Sequence, residues 1–178
     1  LDEIPSYIQM SEDDANDLED IIGHCGSFLY LREHTISLVH QSAKDFFLQR
    51  KSDMVYPGGI ENAHYALFST SLRAMEMNLR RDIYSINDPG YPIRQVRRPN
   101  PDPLAAARYG VVHWVEHLSA CCSSQNLDKD LEDGGSLDRF LRRDYLHWLE
   151  ALSILESIPT GIASILKLER LLQVSVYA

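Results

Sequence analysis

Cysteine is scarce in this chain, with three in 178 residues: Cys25 and the adjacent pair Cys121 and Cys122. They fit neither a paired secreted framework nor the two CxxC half-sites of a structural zinc site, which points to a reducing, cytoplasmic setting. Long apolar runs are missing as well. No stretch approaches the roughly 18 consecutive apolar residues a membrane span requires, and LDEIPSYIQM lacks the basic-then-apolar grammar of a signal peptide, so no membrane partner is expected. The motifs of several enzyme classes are absent too. There is no GxxxxGK[ST], no GxSxG and no HExxH, and the glycine pairs Gly58-Gly59 and Gly134-Gly135 have no lysine beside them to reach a phosphate. The chain is accordingly read as non-catalytic by itself, with no metal site and no cofactor held by its own residues. It also has no initiator methionine, and a chain that opens at Leu1 and closes on VSVYA is expected to be a piece of a longer protein.

Positive charge is sparse where the chain begins. Residues 1–55 hold 4 basic and 11 acidic side chains, 56–103 hold 6 and 5, and 104–178 hold 7 and 10, within a formal net charge of -9. An acidic first third repels a phosphate backbone at long range, which speaks against nucleic acid as a partner. The overall composition, 44% hydrophobic and 24% charged, is that of a globular protein with a core of its own, large enough for one ordinary domain or two small ones.

Hydrophobic periodicity predicts a mainly α fold. Residues 1–55 read helix, helix, hairpin, helix. After LDEIPSYIQM, Ser11 or Asp13 can cap a helix carrying Ala15, Leu18, Ile21 and Ile22 and ending near Gly23 and Gly26. Two β-rich runs, 27–31 and 35–39, follow as a hairpin. Ser42 and Asp45 then form a capping-box-like start to a helix over about 42–51 that buries Phe46 and Phe47. This order is that of a partial winged helix-turn-helix with a two-stranded wing. Residues 56–178 read as an α-helical linker domain: a helix over 60–83, a connection over 87–103 with five prolines, a helix from Asp102-Pro103 to about residue 122, a polar loop over 123–135, and a helix from Ser136 carrying Trp148. Pro159 and Thr160 are expected to break that helix before a last one begins. HWVEHL at 113–118 echoes HWLEAL at 147–152, an offset of 34, the period of one class of helical repeat. Two similar helices in one bundle is the plainer account.

Few side chains suggest chemistry. Cys25 follows His24 but sits where a helix gives way to a strand, and reads as a buried structural thiol. His113 and His117 have the i, i+4 spacing of two metal ligands with no third to complete the set, and read as packing or surface histidines. The arginine pairs 80/81, 97/98 and 142/143 read as solvated faces, or as a cluster against an acidic partner. Trp114 and Trp148 fall on apolar stripes and read as core. His40 leaves the second strand as the next helix begins. Its ring can be satisfied as part of the turn, or can sit beside unpaired helix amides in a place suited to an anion.

One long motif goes further. IIGHCGSFLYLREHTISLVHQSAKDFFL, residues 21–48, resembles the end of the winged-helix domain in fungal NACHT-class (STAND) signal-transduction NTPases, the vegetative-incompatibility and NOD-like receptor group. RRDIYSINDPGYPIRQV, DPLAAARYGVVHWVEHL and LEDGGSLDRFLRRDYLHWLEALSIL resemble the helical segment of the same proteins. The resemblance implies a regulatory and relay module that packs on an ADP-bound core at rest, links it to C-terminal repeats, and takes part in a homo-oligomer when active. His40 matches the position of a histidine that touches the diphosphate, and ADP or ATP with magnesium is implied for the parent protein. The phosphate loop and the metal-binding acid of that family are not in this chain. The alternatives are a winged-helix DNA-binding regulator and a helical repeat scaffold; the acidic run DDANDLEDII weighs against the first.

Overall fold

The computed structural model describes residues 18–32, 35–47, 56, 58–88, 90–121 and 127–176. It is mainly helical with one two-stranded antiparallel sheet. The helix expected over 1–10, and most of the one after it, lie outside the described residues.

Helix α1 (Leu18–His24) ends in a tight turn. His24 Nδ1 lies 2.7 Å from the Asp20 carbonyl, and the amides of Cys25 and Gly26 bond back to Ile22 and Gly23. Strands β1 (Leu29–Arg32) and β2 (Thr35–Leu38) pair antiparallel, Leu29 opposite Leu38 and Arg32 opposite Thr35; β1 starts two residues later than expected, and the other bounds agree within one. Helix α2 (Gln41–Asp45) follows. Its start corrects the capping-box reading. His40, not Ser42, is the N-cap, while Ser42 lies within the first turn and Asp45 Oδ1 accepts from the Gln41 side-chain Nε2 at 3.1 Å. Phe28, Phe46 and Phe47 form a cluster with ring centroids 5.0 to 6.2 Å apart, so the two helix phenylalanines are half-buried rather than fully enclosed. Cys25 is half-buried as well, not sealed in a core.

Beyond residue 56 the described residues contain no strand. Helix α3 (Ile60–Asn78) stops five residues before the expected end, because Leu79 turns extended at ψ 137° while Asn78 Nδ2 donates to the Ala74 carbonyl. The proline-rich segment is irregular apart from one 3₁₀ turn, Ile93–Gln95. Asp102 does start the next helical stretch, accepting from the Leu104 amide at 2.9 Å. The α-helix proper, α4, spans Arg108–Ala120. The polar tract expected as loop contains α5 (Leu127–Leu131), because Leu127 is buried in the core and anchors a turn of helix. Gly135 follows it, where an added Cβ would lie 2.5 Å from the carbonyl oxygens of Lys129 and Asp130.

The single helix expected from Ser136 is two, α6 (Ser136–Arg143) and α7 (Tyr145–Ile154), with Asp144 at the junction. Helix α8 (Ile158–Val176) corrects the proline reading. Pro159 stands in its first turn, where a missing N–H costs nothing, and the break falls earlier, over 155–157.

The core lies where α3, α4, α6 and α7 meet. Phe68, Leu104, Val111, Trp114 and Trp148 are fully buried there. Trp114 and Trp148, the echoed tryptophans, meet edge to face at 5.9 Å, and Phe140 closes the box 5.2 Å from Trp114. The echo is thus two helices of one bundle packing on each other. Their indole nitrogens differ. Trp148 Nε1 donates to the Val111 carbonyl at 2.8 Å, while Trp114 Nε1 is buried with no partner among the described residues. Trp148→Phe is therefore expected to destabilise the chain more than Trp114→Phe, by about 1–3 kcal/mol, since the second removes a buried unsatisfied donor. Urea denaturation of the two variants checks this, and equal losses would refute it.

Candidate functional site

His40 occupies the corner between β2 and α2. Its backbone is extended, φ -152° and ψ 153°, so the chain leaves the sheet and enters the helix at this residue. The imidazole Nδ1 accepts from the Ser42 amide at 3.1 Å and lies 3.0 Å from Ser42 Oγ, while the His40 carbonyl accepts from the Ala43 amide at 2.9 Å. Two helix amides are thereby satisfied by His40 itself, which is the turn-histidine arrangement. The anion niche read from the sequence needed those amides open, and they are not. The same bond has a second consequence. A nitrogen that accepts from an N–H carries no proton, so the neutral ring holds its proton on Nε2. That side of the exposed ring has no partner among the described residues. His40 is thus a single outward donor on a fixed ring.

A second histidine group was only half visible in the sequence. His117 on α4 is 8% exposed, and its Nδ1 lies 2.8 Å from Nδ1 of His64 on α3. Its Nε2 lies 2.7 Å from the hydroxyl of Tyr109, eight residues earlier on the same helix. His113, four residues earlier, instead packs against Tyr109 with ring centroids 4.8 Å apart at a 40° tilt and faces Glu116 at 3.8 Å. His117 is thus a packing histidine joined to one 53 residues away, and His113 a surface one, as their sequence context suggested. Among the described residues no group of three or more His, Cys, Asp or Glu is placed to hold a metal. Burial, reinforced by the charges of His64 and His113, pushes the His117 pKa down to about 4.

Carboxylates organise the rest. Burial would raise the Asp102 pKa, but donors from the Leu104 amide, Arg108 and Tyr84 outweigh it and hold the carboxyl below its ordinary range. Tyr84 Oη donates to Asp102 at 2.8 Å, Arg108 at 2.6 Å and Arg98 at 2.8 Å. Tyr65, desolvated and donating to Asp130 at 2.7 Å, has its pKa pushed up to about 12. Of the arginine pairs, Arg142 binds Asp138 at 2.6 Å and Arg143 binds Glu76 at 2.8 Å. No helix among the described residues is long and apolar enough to cross a membrane.

Comparison with known proteins adds one relationship. The chain is similar to part of a fungal vegetative-incompatibility protein. That relative is the vegetative incompatibility protein HET-E-1 of Podospora anserina, 46% identical over 189 residues that take in 97% of this chain. The chain spans 14% of the relative's length. No protein-family model matches the chain, and no solved structure matches it significantly.

The His117 environment sets a pH dependence. A buried imidazole that titrates near 4, against an ordinary 6.5, binds its proton less readily folded than unfolded. Stability is then full above about 6.5, falls as the pH drops, and levels off below about 4, a loss of about 1–2 kcal/mol after allowing for solvent screening. Urea midpoints at pH 7.5 and 4.5 should converge more in His117→Gln than in the parent sequence. An unchanged pH dependence in the variant would refute the assignment.

Proposed function

We propose that the chain is a regulatory and relay segment of a NACHT-type NTPase switch. In this reading residues 1–55 are the C-terminal part of a winged-helix domain, and residues 56–178 a helical linker domain. The segment packs on an ADP-bound nucleotide-binding core at rest, passes its movement to C-terminal repeats, and exposes oligomerising surfaces when the nucleotide is exchanged. It is not catalytic by itself and works in the cytoplasm.

The observation that supports this most is the state of His40. A phosphate contact needs an N–H donor held at a fixed angle, and the bond from the Ser42 amide to Nδ1 leaves Nε2–H as that donor. Likeness to HET-E-1 along nearly the whole chain, and the helix, hairpin, helix order of residues 18–47, favour the same reading. Bound in the parent protein, the nucleotide would supply a diphosphate oxygen as acceptor. This chain would contribute His40, and the parent's own core the remaining contacts. One exposed imidazole cannot offset the hydration of a diphosphate, so the isolated chain is expected to hold no ADP. Duplex DNA is no partner either: the sequence of α1, LEDIIGH, contains two acids and no lysine or arginine, and a titration should show nothing tighter than about 10⁻⁴ M at physiological salt.

The test separates cap from sensor. In the full-length parent, His40→Asn keeps a good N-cap for α2 but removes the ring N–H, while His40→Ala removes both. A charge-assisted hydrogen bond of about 1.5–3 kcal/mol corresponds to ADP release faster by about 10- to 150-fold in both variants, with more spontaneous oligomer. If His40→Asn retains ADP like the parent and only His40→Ala loses stability, His40 is a helix cap and nothing more.

A further inference from the structure

Two histidines close the seam between the start of α3 and the end of α4. The His64 and His117 ring centroids are 5.1 Å apart for an Nδ1–Nδ1 separation of 2.8 Å, so the two nitrogens lie close to the line joining the rings and point at each other. We propose that this pair is a proton-counting latch: the seam stays closed with one added proton on the pair and opens, ahead of Phe68, when a second enters. The proposal stands apart from the NTPase reading.

Three observations carry it. The first is the head-on geometry. Two lone pairs, or two N–H groups, do not face each other at 2.8 Å, so a single proton lies between the rings. A metal ion would need both lone pairs to converge on one point about 2.0 Å from each nitrogen, and nitrogens aimed at one another do not offer that.

The second is where further protons can go. His117 is buried, and its Nε2 lies 2.7 Å from the Tyr109 hydroxyl, which can accept or donate. With Nε2–H donated to Tyr109, His117 Nδ1 is the acceptor and His64 Nδ1–H the donor. His64 is half-buried, and its Nε2 has no partner among the described residues. A first added proton enters there, keeps both hydrogen bonds and makes the central one charge-assisted. A second has only His117 Nδ1 to bind. It removes the acceptor and sets two imidazolium rings head to head, so the two sites titrate as a unit.

The third is the surrounding charge. Burial, with His64 across the seam and His113 on its own helix, pushes the His117 pKa down to about 4 against the opposing charge of Glu116. Glu116 itself faces His113 at 3.8 Å with its side chain 64% exposed. Asp130 of α5 accepts from Tyr65, and on α7 His147 faces Asp144 while Glu150 accepts from the amides of Asp82 and Ile83. Glu61 of α3 and Lys167, Glu169 and Arg170 of α8 are exposed. Among the described residues no carboxylate bonds to either imidazole of the pair, so a second charge is met by separation of the rings. Phe68, one turn after His64, is fully buried and packs on Trp114, which confines the opening to the start of α3.

The full 178-residue chain, nitrogen-15-labelled at histidine, is followed by NMR at pH 7.0 and 6.0 and by amide hydrogen exchange at pH 6.0 and 3.5. A scalar coupling between the Nδ1 atoms of His64 and His117, carried through the shared proton, is expected at both NMR conditions. At pH 3.5 the amides of His64, Tyr65 and Ala66 should keep less than about tenfold protection, while those of Ala151 and Leu152 stay at least about a hundredfold more protected. In His64→Gln the amide side chain can turn its oxygen to a protonated His117, so the first turns should stay protected at pH 3.5; His113→Gln should open like the parent sequence. The coupling and the exchange pattern of the unaltered chain need no variant, so a misfolded variant does not decide the result. Absence of the coupling, a first turn still protected at pH 3.5, equal loss of protection in α7, or the same opening in His64→Gln would overturn the proposal.

Discussion

The described helices of residues 58–176 depend on the aromatic box at Trp114. Its ring touches Phe68, Phe140 and Trp148, which come from α3, α6 and α7, so three helices are held to α4 through one side chain. Fully burying rings of this size is worth a few kcal/mol each, far more than any surface ion pair here. The box also explains the break at Asp144. Phe140 and Trp148 must both face Trp114, and the 3.6-residue turn places residues eight apart only roughly in line. The short interruption between α6 and α7 lets each helix take its own angle.

Polar groups then decide what the box leaves open. Residues 79–107 leave helical geometry and return, which would expose a long run of backbone. Two carboxylates prevent this. Asp102 gathers Tyr84, Arg98, Arg108 and a helix amide, and Glu150 pins the turn that starts at Asp82. Hydrogen bonds to charged acceptors are about twice as strong as neutral ones, so these two carboxylates anchor a largely irregular stretch at both of its ends.

His40 and His117 show how one residue type takes opposite roles through burial. His117 lies under α3, is held neutral, and spends both ring nitrogens on protein partners. His40 stands at an exposed corner and spends one. Only the second can meet something outside the chain, which is why the functional proposal rests on it.

Local order was legible in the sequence. The hairpin was found within two residues by its β-rich runs, and the two tryptophans by their apolar stripes. Asp102 was found as a helix start because a side chain two residues from an open amide needs no other part of the chain. Several local readings failed, and three of them did so for a tertiary reason or a competing cap. Leu127 finds the core and turns a polar tract helical, Asp144 splits one periodic run, and the His40 ring takes the amide a capping box would have used. What only the tertiary structure decided is every pairing at long range: His64 with His117, Glu150 with the turn at Asp82, Tyr84 with Asp102. Periodicity reports which face of an element is buried and not which element covers it. The partners of those side chains were therefore settled only when the helices packed.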